Sequence, residues 1–63
     1  MKSFGRGVDI EGHDAGKNFG ESLLLTLREI ERDGLAIQDI KISLHMAPPP
    51  DTKRVLSFRV WAQ

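Results

Sequence analysis

The side chains able to do chemistry in this chain gather in two places. Lys41, Ser43 and His45 alternate along one segment, and Val55, Ser57, Arg59 and Trp61 alternate along another. Alternation of this kind puts each set on one face of a β-strand. Lys41 and Arg59 offer charge, His45 an imidazole ring, and Trp61 a flat surface for stacking a base or other aromatic group. Together these four residues are the expected site for an anionic or aromatic ligand, or for a partner. The second place is Gly12-His13-Asp14-Ala15-Gly16-Lys17-Asn18. It has the composition of a phosphate loop without the spacing. The Walker pattern places four residues between its glycines and Ser or Thr after the lysine. Here only three residues separate Gly12 from Gly16, and Asn18 follows Lys17. A helix starting behind this segment would still favour an anion at its N-terminus.

Enzymatic chemistry is not expected. There is no cysteine to act as a nucleophile or thiolate ligand. His13 and Asp14 are adjacent, His45 lies on a predicted strand, and Ser22 lies on a predicted helix without an obvious base. No pair has the spacing of a known catalytic triad. Two histidines alone cannot build a structural zinc site, so no metal is expected, and nothing in the sequence names a cofactor.

Sixty-three residues allow one domain. A domain of this size buries only about 60% of its unfolded surface and is marginally stable. Such scaffolds rely on disulfides, a metal or oligomerisation. With the first two excluded, oligomerisation is the expected support, an efficient core being the alternative. No apolar run has the length of a membrane span. Met1-Lys2-Ser3-Phe4-Gly5 lacks the apolar stretch of a secretory signal. The expectation is a cytoplasmic protein. Net charge is zero, but residues 1–40 sum to −3 and residues 41–63 to +3. The C-terminal part is therefore mildly basic. It either complements the acidic part within the fold or assembly, or attracts an anionic partner.

The elements that must position these residues follow from periodicity. Phe4, Val8 and Ile10 share one parity, predicting a strand over about 2–10. Arg6 breaks the pattern, and Gly5 and Gly7 weaken it or mark a close backbone approach. The Gly-rich connector from Glu11 ends at Asn18, which reads as an N-cap with Glu21 completing a capping box. Phe19, Leu23, Leu27 and Ile30 then form one stripe of a helix over about 19–33. Gly34 suits its C-terminal cap, with Leu35 packing back on Ile30. Ile40, Ile42, Leu44 and Met46 alternate with polar residues in a strand over about 37–46. A bulge is expected near Gln38. Pro48-Pro49-Pro50 ends that strand, with a polyproline ligand as a minor alternative. Leu56, Phe58 and Val60 mark the inner face of a strand over about 54–62.

Pairing Leu44 with Leu56, Ile42 with Phe58 and Ile40 with Val60 keeps the inward residues together. The fold expected is α+β: a single β-α-β-β unit, with a three-stranded antiparallel sheet of order 1-3-2 and one helix on one face. That arrangement leaves Leu25 on the outer side of the helix, and Val55 and Trp61 on the outer sheet face. Apolar residues on wet faces point to a homo-oligomer interface made by these three.

The element order resembles the dodecins, small strand–helix–strand–strand subunits that assemble into flavin-binding shells. The likeness is one of layout and spans most of the chain. The dodecin tryptophan sits in the second strand, whereas Trp61 falls in the third, and the characteristic aromatic and Gln segments are absent. The stretches Asp39-Ile40-Lys41 and Ser57-Phe58-Arg59-Val60-Trp61 are also similar to small sporulation-associated bacterial proteins. Neither resemblance carries site residues over. The expected function is a small binding protein that acts as a homo-oligomer, with ligand or partner at the outer sheet face or a subunit interface. The alternative is a phage- or mobile-element-type regulator that binds a larger protein or nucleic acid through the basic C-terminal hairpin.

Overall fold

The alternating segments fold as their parity demands. In the computed structural model, which describes residues 1–63, strand β1 spans Lys2–Asp9 and helix α1 spans Ala15–Arg32. Strand β2 spans Ile37–Met46, and strand β3 spans Arg54–Ala62. The sheet order is β1-β3-β2, and β3 is antiparallel to both neighbours. Leu44 pairs with Leu56, Ile42 with Phe58, Ile40 with Val60 and Lys41 with Arg59. The β2–β3 register shifts between Ile37 and Asp39, where the bulge was expected. On the other side of β3, Phe4 pairs with Val60, Arg6 with Phe58 and Val8 with Leu56. No helix is long and apolar enough to cross a membrane.

The helix starts earlier than its polar N-terminal residues suggest. Asp14, not Asn18, is the N-cap. It adopts a left-handed conformation (φ 54°) and makes no side-chain capping bond. The Asn18 amide instead donates to the Asp14 carbonyl at 2.9 Å, an ordinary helical bond. Gly16, Lys17 and Asn18 are thus the first turn of α1 rather than a loop. Asp and Asn tolerate left-handed geometry, and that conformation is not visible in side-chain spacing.

The other end behaves as read. Gly34 has φ 76°. The Leu35 amide donates to the Ile30 carbonyl at 3.1 Å, and the Gly34 amide to the Glu31 carbonyl at 3.0 Å. This pair of bonds is the Schellman closure. A Cβ at Gly34 meets no neighbour, so a substitution there is felt through the backbone alone. Gly34→Ala should therefore cost about 1 kcal/mol, read as a lower urea midpoint with an unchanged far-UV circular dichroism spectrum.

Only four residues are fully buried: Ile30, Phe58, Val60 and Ala62. Phe4, Phe19, Leu23, Leu27 and Leu35 pack around them. The rings of Phe19 and Phe58 meet edge to face, 5.6 Å apart at 80°. The core thus lies where α1 crosses the central strand.

The core does not extend to β2. Ile40, Ile42, Leu44 and Met46 share the inner face, yet they are 42%, 56%, 53% and 63% exposed. A helix is about 10–12 Å across, whereas neighbouring strands lie about 4.8 Å apart. One helix therefore shelters about two strands of three. Here α1 packs most against β1 and least against β2. Ala15, Ser22 and Thr26 on one flank of α1 are half-buried, while Leu24 on the opposite flank is exposed. Hence the Leu24 flank overlooks the open inner row of β2.

Candidate functional site

The outer sheet face is a grid of cross-strand rows. The register aligns Ser3, Trp61 and Asp39; then Gly5, Arg59 and Lys41; then Gly7, Ser57 and Ser43; then Asp9, Val55 and His45. The two middle rows hold four small residues, Gly5, Gly7, Ser43 and Ser57. Larger side chains stand around them. The result is an open depression of about 550 Å³ lined by Lys41, Ser43, His45, Val55, Ser57, Arg59 and Trp61, with Gly5 and Gly7 contributed by β1. Its volume falls within the usual range for small-ligand sites, but its lining is mainly polar rather than apolar. A small polar ligand fits this lining better than a greasy one.

The four residues expected to bind are therefore brought together. Lys41, His45 and Arg59 are exposed, and Trp61 is half-buried. Lys41 and Arg59 face each other across β2 and β3. The cation–carboxylate pairs of the structure are Lys53–Asp9 and Arg54–Glu11, with the His13 ring beside Asp14, so neither Lys41 nor Arg59 has a carboxylate in reach. Arg59 donates to the Ser3 hydroxyl at 3.1 Å, reaching across β1. Asp39, the nearest acidic candidate along β2, instead accepts the Ile40 amide at 2.9 Å. Lys41 and Arg59 are thus opposite in register, with the Arg59 guanidinium laid over β1 on the far side of β3 from Lys41.

Gly5 and Gly7 are the part of the site that strand parity did not reveal. A Cβ at Gly5 would sit 3.1 Å from the Arg59 guanidinium, and one at Gly7 would sit 2.9 Å from Val55 Cγ1. Their bare backbones let Arg59 lie over β1 and keep the depression open. Their composition signalled a close approach, but naming the neighbour requires the β1–β3 register.

The remaining sequence candidates lie elsewhere. Val55 is half-buried at one end of the depression, and Leu25 is 56% exposed on the helix. His13 Nε2 lies 3.2 Å from Asp14 Oδ2 at the start of α1, and both side chains are open to solvent. His45 belongs to the sheet depression, and no three His, Asp or Glu side chains converge as metal ligands would. Lys53 and Arg54 are tied to Asp9 and Glu11, at 3.7 and 2.9 Å. Comparison with family models, curated proteins and solved structures finds no match.

Proposed function

We propose that this protein is a non-enzymatic binding protein that takes a small anionic ligand on the outer face of its sheet and acts as a homo-oligomer. One observation carries the reading: Lys41 and Arg59 stand opposite each other in an open depression without a carboxylate partner. A phosphate or carboxylate bound over β3 between them would accept a charge-assisted contact from each. The Ser43 and Ser57 hydroxyls lie in the next row as further donors. Trp61 stands at the other side of the charged row, where a ring attached to the anion would stack. The small core and the exposed inner row of β2 support the oligomer.

Two cations of the basic hairpin, Lys53 and Arg54, are already paired within the chain. This favours a compact anion over a long nucleic-acid track, which draws its affinity from many phosphate contacts.

Trp61 is the only tryptophan, so its fluorescence reports on the site alone. Adenosine monophosphate should change Trp61 emission saturably, and inorganic phosphate should compete. Added salt should weaken both effects. No saturable response to either probe at ~10 mM, well above any useful affinity, would overturn the assignment of the site.

A further inference from the structure

We infer that β2 pairs antiparallel with β2 of a second copy, across a two-fold axis through Ile42, so that two sheets become one. The inference rests on the homo-oligomer reading and names its interface. Four observations support it.

First, β2 is an edge strand of ten residues, the longest in the sheet. Its free backbone groups can be identified. The Ala47 amide donates to Lys53, and bonding alternates along an antiparallel pair, so the odd-numbered residues of β2 face β3. Ile40, Ile42, Leu44 and Met46 therefore direct their amides and carbonyls away from the sheet.

Second, these same four residues carry the exposed inner row. Unpaired backbone and unsheltered side chains coincide on one strand. Long, apolar, unguarded edges are the ones that recruit another strand. The opposite edge is guarded: β1 is shorter, and Arg6 sets a charge between Phe4 and Val8 on its inner parity.

Third, self-pairing satisfies the charges in one register. Two in-phase registers use nearly the whole strand. The one centred on Lys41 sets Lys41 against its own copy, which is unfavourable. The one centred on Ile42 sets Asp39 opposite His45 of the second copy and Lys41 opposite Ser43. Its inner row places Ile42 against Ile42 and Ile40 against Leu44. A two-fold axis makes each contact twice, as an isologous dimer requires.

Fourth, the Ile40 amide, one of the outward donors, is held by the Asp39 carboxylate in the single chain. Pairing frees Asp39 to meet His45 of the second copy, while Ile40 gains a backbone partner.

The test is sedimentation velocity at high micromolar concentration, with circular dichroism as the check on folding. The wild-type chain of 7.1 kDa should sediment with twice that mass. Ile42→Lys should be a folded monomer, because Ile42 is already more than half exposed within one chain. Leu25→Lys should remain a dimer. Asp39→Lys should raise the dimer dissociation constant at least about tenfold, and Asp39→Lys with His45→Asp should restore it. Should Ile42→Lys fail to fold, the charge-swapped pair decides the matter. Dissociation by Leu25→Lys with Ile42→Lys still dimeric would overturn β2 pairing and leave the homo-oligomer standing. A monomeric wild-type chain would overturn both.

Discussion

Phe58→Ala should remove a large share of the chain's stability and lower its urea midpoint more than Gly34→Ala or Leu24→Ala does. Phe58 is 3% exposed at the centre of β3, between Ile42 on one neighbouring strand and Arg6 on the other, with the Phe19 ring edge-on against it. Removing a buried phenyl ring costs about 3–5 kcal/mol through lost transfer energy and the cavity left behind. A domain of this length has on the order of 3–9 kcal/mol in total. Because only four residues are fully buried, few neighbours can close the void. Leu24→Ala provides the contrast. Leu24 is almost half exposed, so its loss should move the urea midpoint little. Urea titrations followed by far-UV circular dichroism test both. A Phe58→Ala chain that unfolds at nearly the wild-type midpoint would contradict the placement of the core.

Lys41→Met should weaken binding while leaving stability nearly unchanged. In the unliganded chain Lys41 is exposed and the Arg59 guanidinium lies over β1, away from it, so stability should change by no more than about 0.5 kcal/mol. Anion affinity should fall, because one of two charge-assisted contacts is gone and each is worth about 1.5–3 kcal/mol. That corresponds to roughly a tenfold loss or more in the Trp61 titration. Arg59→Met should weaken binding at least as much, and it also loses the bond to Ser3. If Lys41 mattered only to the fold, the two measurements would fall together. A loss of affinity at an unchanged midpoint is the expected sign of a residue kept for its ligand.

Strand parity explains why much of this site can be read from the chain. Alternation along residues 39–46 and 55–61 specifies the β2–β3 register, and that register alone places Lys41 opposite Arg59 and His45 opposite Val55. The Gly34 closure is equally legible, since glycine is the residue that enters left-handed geometry freely. Parity states which face a side chain shares, not how far one helix reaches across that face. Hence Ile40, Ile42, Leu44 and Met46 read as core and are exposed. Capping preference likewise favoured Asn18, because Asp14 caps through its backbone conformation rather than its side chain. The glycine floor was hidden for a third reason. Gly5 and Gly7 gain meaning only from residues more than forty positions away, Val55 and Arg59.

The strand order also governs how the chain is made. Both edge strands precede the central one in sequence, so neither has a backbone partner until β3 has been synthesised. The β1–β3 ladder joins residues as far apart as Lys2 and Ala62, and closing so long a loop slows folding. The helix can form in the meantime, since its hydrogen bonds are local, but the faces it must cover have yet to assemble. The nascent chain therefore passes through an interval in which the apolar row of β2 is exposed and its edges are unpaired. The bond from the Ile40 amide to the Asp39 carboxylate joins neighbours in sequence, so unlike the ladder bonds it needs no other strand.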